Sequence, residues 1–217
     1  MTPEQNAAVP IPAVGRVLYA FRFSGNSQRV RVFLSMLGLP FEERPIDIRQ
    51  AEQRRPEFLA INPAGLVPVL IEDGRVLTDS HAILVWLAQR HGAGQWWPGD
   101  PWDLALVMQW LSFSANEIHH GPNLLRRHHR LGLPIDVEAT TQRTLAVMQR
   151  LNDRLAGRDW LELGRPTLAD IACYPYVEAL PDARLSLEPY PAVRAWLGRI
   201  ASLPGYRPMP AAAPAAA

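Results

Sequence analysis

Asn62-Pro63-Ala64-Gly65-Leu66-Val67-Pro68-Val69-Leu70-Ile71, then the pair Asp73-Gly74, then Leu77-Thr78-Asp79-Ser80: this stretch decides the fold. Val67–Ile71 is a short apolar run of strand type, and an Asp-Gly pair between two such runs marks a hairpin. Ile83, Leu84, Leu87 and Ala88 recur at helical spacing, so a helix opens near Thr78 or Asp79. Proline is the residue before which a cis peptide bond is cheap. A cis bond at Val67-Pro68 would turn the N–H and C=O of Val67 outward, free to pair with an added extended peptide. The plainer alternative is a trans proline opening an edge strand. The first amides of the helix behind Asp79 are unpaired and favour a carboxylate. Ser80 can add its hydroxyl, and Asp79 can hold an ammonium beside it. An amino-acid head group fits that pair, whereas the plainer alternative makes Thr78 or Asp79 an N-cap and nothing more.

Upstream, Val17–Phe21 reads as a buried strand, Ser24-Gly25-Asn26-Ser27 as a polar turn, and Val30, Phe33, Leu34 and Leu37 as an amphipathic helix ending at Gly38. Ser24 lies in the turn, where its hydroxyl and the positive end of the helix together suit a thiolate. A free thiol titrates near 8.5, and lowering that by about two units needs roughly 2.7 kcal/mol. One charge-assisted hydrogen bond supplies about 1.5–3 kcal/mol, so the arrangement suffices in principle. Turn and capping chemistry is the competing use of Ser24, Asn26 and Ser27.

These residues resemble the cytosolic glutathione transferases, of the bacterial serine type with a zeta- or theta-like first loop. The similarity runs in order through Leu18–Ser27 with Arg29 and Arg31, Gly38–Glu42, Asn62-Pro63, Gly65, Val67–Leu70, Asp79-Ser80 and Pro166–Ile171. The resemblance implies a thioredoxin-like N-terminal domain, with a mixed sheet and helices, followed by an all-helical domain. It implies glutathione as co-substrate, a small electrophile as acceptor, and a homodimer. Position by position, Ser24 aligns with the thiol-activating serine and Asn26 with the zeta-class cysteine. Val67 aligns with the residue whose backbone pairs with the cysteinyl unit, Pro68 with the cis-proline, and Asp79 and Ser80 with the pair holding the γ-glutamyl head. Gly25-Asn26 stands where the zeta class has Ser-Cys, which weakens a maleylacetoacetate isomerase assignment and leaves Ser24 and Asn26 both open as thiolate donors. The expected activity is addition of the glutathione thiolate to small electrophiles. A glutathione-binding carrier with little turnover, or a glutathione-dependent isomerase or dehalogenase, is the alternative.

Strands are expected at 16–21, 41–47, 67–71 and 75–77, and helices at 27–37, 51–60 and 80–90. The domain expectation is an extension at 1–14, a glutathione-binding domain at 15–95, a linker at 96–101, a helical domain at 102–207 and an Ala/Pro tail at 208–217. Glycines and prolines cluster between Gly92 and Pro101, with Trp96 and Trp97 placed to pin the linker to one domain. Thr167-Leu-Ala-Asp170 has capping-box spacing and is assigned to folding. His119-His120 and Arg126-Arg-His-His-Arg130 lie on either side of Gly121-Pro122, which reads as a break in the helix. Adjacent histidines do not share a helix face, so no metal is expected and the run reads as a solvated basic face. The resemblance turns this helix toward the acceptor, where His119, His120 or Arg126 would touch the electrophile or its leaving anion.

The 217 residues carry a formal charge of +1, which gives no case for nucleic acid or an anionic membrane as partner. No apolar run approaches a spanning length, and Met1–Pro12 lacks a signal-peptide pattern. The lone Cys173 excludes an intrachain disulfide, agrees with a cytoplasmic setting and reads as a small core residue.

Overall fold

A computed structural model describes residues 15–92 and 94–210. The expected extension at 1–14 and the tail from 211 on lie outside the described residues. The first half is a four-stranded sheet in the order β2-β1-β3-β4, with β1 Arg16–Ala20, β2 Glu42–Pro45, β3 Val69–Glu72 and β4 Arg75–Leu77. Strand β1 pairs parallel with β2 and antiparallel with β3, and β3 pairs antiparallel with β4. The parallel step needs a crossover, supplied by helix α1, Gly25–Met36. The Asp73-Gly74 hairpin forms, with positive φ at both residues (47° and 77°), as a type I′ turn requires.

Alternation along β1 divides the core. Leu18 and Ala20 face α1 and α3, Ser80–His91, while Val17 and Tyr19 join Val69, Ile71, Phe58 and Ile61 in a smaller cluster with α2, Pro56–Ile61. The helix expected at 51–60 is two 3₁₀ turns, Ile48–Gln50 and Glu52–Arg54, and then α2. Pro56 sets that start, because proline fits the first turn of a helix and not its interior. Strand β2 is shorter than expected because it is the sheet edge and closes on Pro45. Helix α1 begins two residues earlier than expected, because Ser24 rather than a later serine caps it.

The second half is helical: α4 Pro101–Phe113, a widened π-helical run Ser114–Asn123, α5 Leu124–Leu131, α6 Val137–Leu155, α7 Leu168–Glu178 and α8 Pro191–Ala201. Gly121-Pro122 does not break the helix. The wide turns carry the chain from α4 into α5, and the extra residue per turn gives the Pro122 ring room that an α-turn would deny it. Helix α7 is buried from Leu168 to Val177 and packs on α1, α3, α4 and α8. Trp96 does not belong to one side only. Its ring meets Phe33 of α1 edge-on at 5.3 Å, and its carbonyl accepts from the Leu168 amide at 2.9 Å. Beyond α8 the chain returns over α1, where Gln28 Nε2 donates to the Arg207 carbonyl at 2.6 Å. Cys173 is fully buried among these helices, and burial pushes its thiol far up.

Candidate functional site

Where β1 ends, the Ser24 amide donates to the Phe21 carbonyl at 3.1 Å and closes the turn. Ser24 Oγ then caps α1 by accepting from the Ser27 amide at 3.2 Å. The bond uses one lone pair and leaves the hydroxyl hydrogen to donate elsewhere. Ser27 is spent internally, its Oγ accepting from the Phe21 amide at 3.3 Å. The Asn26 amide N–H donates to the Tyr176 hydroxyl at 3.2 Å, while its side chain has no hydrogen bond among the described residues. Between them, Gly25 carries the Tyr176 ring so close that a Cβ would sit 2.6 Å from it. Tyr176 of α7 therefore holds the start of α1 in place.

The Asn62 loop supports the second element. Asn62 Oδ1 accepts from the Ala64 amide at 3.1 Å and its Nδ2 donates to the Leu66 carbonyl at 2.8 Å. The Val67-Pro68 bond is cis. Neither the N–H nor the carbonyl of Val67 is bonded among the described residues, so both remain for a ligand backbone.

At the third element, Asp79 Oδ1 caps α3 by accepting from the amides of His81 and Ala82, each at 2.9 Å. Ser80 is buried, and its Oγ accepts from Nη1 of Arg29 at 3.4 Å. Arg29 Nη1 also lies 2.5 Å from Nε2 of His81, and Arg29 Nε is buried without a partner. Arginine only donates, so His81 accepts there. Burial, and then the Arg29 cation, drive the His81 pKa down to about 2, so His81 stays neutral. Arg29 is thus a buried cation with no carboxylate bonded to it among the described residues, directly behind Ser80.

Ser24, Asn26 and Val67 line one cavity of about 300 Å³, together with His119 and Arg126 from the opposite helical wall. Pro68 is buried, and neither it nor Asp79 and Ser80 at the head of α3 is part of its lining. His120 turns away, exposed, with Nδ1 2.9 Å from the Asn116 carbonyl. His119 faces in, with Nδ1 3.2 Å from the Asn123 amide nitrogen. Burial first, then the neighbouring His120, Arg127 and Arg29, hold its pKa below the ordinary value. Arg126 departs from the solvated-face reading. It is 5% exposed, pairs with Asp182 at 2.9 Å and donates to the Phe23 carbonyl at 2.8 Å, so it clamps the first loop to the helical half.

Several cavity residues carried no role in the sequence reading. Arg127 and Arg130 stood in the quoted basic run, and their spacing of three puts them on one helix face with the cavity. Tyr176 had no local signal, because its partners lie some 150 residues away. Among the described residues, no group of three or more His, Cys, Asp or Glu is placed to hold a metal ion. A second depression, about 630 Å³, open and mostly apolar, lies between α3 and α4 against Leu77, Val85, Trp86, Met108 and Leu111.

Residues 18–95 match the family model for the glutathione S-transferase N-terminal domain, and residues 126–204 match the model for its C-terminal domain. The disulfide-bond oxidoreductase YfcG of Escherichia coli (strain K12) is 32% identical over 191 residues, covering 82% of this chain and 87% of that protein. A maleylacetoacetate isomerase of Rhizobium meliloti (strain 1021) is 34% identical over 169 residues, covering 74% and 79%. A crystal structure of a possible glutathione S-transferase from Rhodopseudomonas palustris superposes with a TM-score of 0.84 at 33% identity, covering 89% of this chain and 97% of that one.

Proposed function

The chain belongs to the glutathione S-transferase family, and on that premise we propose that it ionises the glutathione thiol and adds it to small electrophiles with the residues of the cavity. The observation that carries the reading is the Ser24 hydroxyl. Its oxygen already accepts from the Ser27 amide, so its hydrogen is free to donate to a thiolate at the positive end of α1. The Asn26 side-chain amide, unbonded among the described residues, is a second donor on the same wall.

The peptide lies along three anchors. Val67 offers both backbone groups to the cysteinyl unit. Ser80, with the Arg29 cation behind it, takes the γ-glutamyl carboxylate, and the oxygen of Asp79 left over from capping takes the ammonium. Arg54 and Gln53, beside Gly65 on the far wall, take the glycyl carboxylate. Glutathione is the co-substrate and no metal takes part.

The test replaces Ser24 with Ala and titrates the bound thiol by its thiolate absorbance. The bound-thiol pKa is expected to rise by about one to two units, the equivalent of one charge-assisted hydrogen bond, with glutathione affinity nearly kept. An unchanged titration moves the donor role to Asn26.

Glutathione-dependent isomerisation is a second reading, favoured by the likeness to maleylacetoacetate isomerase. It regenerates the thiol where transfer consumes it, so recovery of free thiol after turnover separates the two. The apolar groove between α3 and α4, with the exposed Met108 at its edge, fits a second copy of the chain. A homodimer is the proposed assembly and sedimentation its check. No described helix is long and apolar enough to cross a membrane, and a cytoplasmic setting is proposed. The domain limits 15–95, 96–101 and 102–207 are retained as the proposed division.

A further inference from the structure

Among the described residues, five arginines line the cavity, Arg49, Arg54, Arg126, Arg127 and Arg130, and no aspartate or glutamate does. Outside the lining, Asp47 pairs with Arg49, and Asp182 is shared by Arg126 and Arg130. Two of the five charges are therefore met within the protein. Glutathione bound as proposed above brings two more negative charges to the cavity, its thiolate and its glycyl carboxylate, since the γ-glutamyl carboxylate is balanced by its own ammonium. One positive charge is left over.

The geometry locates that charge. Arg54 is exposed on the glycyl side, next to Gly65. Arg126 is held by Asp182 and the Phe23 carbonyl. Arg130 leans over the Phe23 ring, 5.6 Å from its centroid, and reaches Asp182 at 3.4 Å. Arg127 is only partly exposed, lines the cavity and has no hydrogen-bond or ion-pair partner among the described residues. It belongs to α5 and lines the same cavity as Ser24. The space between is bounded by the Phe21 and Phe23 rings, with Leu66 and Leu131 exposed at its rim. An apolar body with one anionic group is the complement of that shape and charge. A neutral acceptor would leave Arg127 desolvated and unpaired, which is unfavourable.

We propose that the acceptor site is built for electrophiles that carry a carboxylate remote from their reactive carbon, and that Arg127 receives that carboxylate. The proposal rests on the glutathione reading of the same cavity.

Two glutathione conjugates test it without depending on any one reaction: S-(4-carboxybenzyl)glutathione and its uncharged partner S-(4-carbamoylbenzyl)glutathione. Calorimetry on the full chain is expected to show the carboxylate conjugate bound roughly ten- to a hundredfold tighter, the range of one charge-assisted hydrogen bond. Arg127→Ala should abolish that preference while leaving the carbamoyl conjugate and glutathione itself bound as before. Arg127→Lys should keep much of it, and raising the salt concentration should shrink it. Equal binding of the two conjugates to the wild-type protein, or a loss in Arg127→Ala that is the same for both, overturns the proposal and leaves the glutathione reading intact. Failure of glutathione and both conjugates to bind overturns both together.

Discussion

Asp79 caps the start of helix α3 and Thr167 that of helix α7, each a short polar side chain that accepts from free backbone amides. Their surroundings differ. Thr167 and Asp170 are fully buried and saturated. Asp170 accepts from the Thr167 amide at 2.9 Å, the Leu161 amide at 3.1 Å and the Trp196 indole at 2.9 Å, so one carboxylate ties α7 to α8 and to the preceding loop. Asp79 is exposed and makes both capping bonds through a single oxygen. The same chemistry, completed inside the protein, specifies structure; left half-used at the surface, it can bind a ligand.

The largest way to break this contrast is at Asp170. Asp170→Ala strands four buried donors, the three above and the Thr167 hydroxyl at 3.3 Å, at about 1–3 kcal/mol each where nothing replaces the carboxylate. Denaturant unfolding is expected to show a loss of about 3–5 kcal/mol, and a loss under about 1 kcal/mol would mean that water fills the vacated place. Burial raises the Asp170 pKa from 3.8 to about 6, against the hydrogen bonds that lower it. The native chain then holds this proton to higher pH than the unfolded chain does. The Asp170 contribution is therefore fully present below about pH 4 and falls as pH rises toward 6, by up to about 3 kcal/mol. Asp170→Asn cannot titrate, so its unfolding free energy should lack this downward slope whatever its absolute stability.

An intermediate effect is expected at the start of α1, where the capped end faces the cavity but leans on α7. Gly25→Ala places a Cβ against the rigid Tyr176 ring. Overpacking of this kind costs about 1–3 kcal/mol and should displace the Asn26–Tyr176 bond, so thermal stability and glutathione turnover should fall together. Pairing it with Tyr176→Ala should recover part of the stability. If Gly25→Ala alone is silent in both measurements, α7 does not hold the first loop.

The smallest change in stability is expected at Asp79, and it sharpens the comparison most. Asp79→Ser keeps a good cap and removes the charge, so unfolding should shift by less than about 0.5 kcal/mol. Glutathione binding should still weaken on the order of ten- to a hundredfold. An analogue lacking the γ-glutamyl amine should bind both proteins alike. If it instead loses as much affinity as glutathione does, Asp79 does not hold the ammonium.

Local chemistry was legible in the order of residues. Asp73-Gly74 announced its hairpin, Thr167 and Asp170 their capping box, and Asp79 its helix start, because each depends on bonds among residues a few positions apart. The cis bond at Val67-Pro68 was legible only through family resemblance, since the dipeptide itself leaves both isomers open. Periodicity could not show that Gly121-Pro122 continues a helix, because a widened turn depends on packing against α6 and α7.

The walls of the cavity were decided by the tertiary structure alone. His119 and His120 are neighbours in sequence, yet one lines the cavity and the other faces solvent. Arg29 sits behind Ser80 only because α1 packs on α3, and Tyr176 meets Gly25 only because α7 packs on α1. Spacing along a chain encodes short-range hydrogen bonds and the face a residue shares. Which charges are left without a partner is settled when distant elements meet, and in this protein the proposed acceptor carboxylate rests on that.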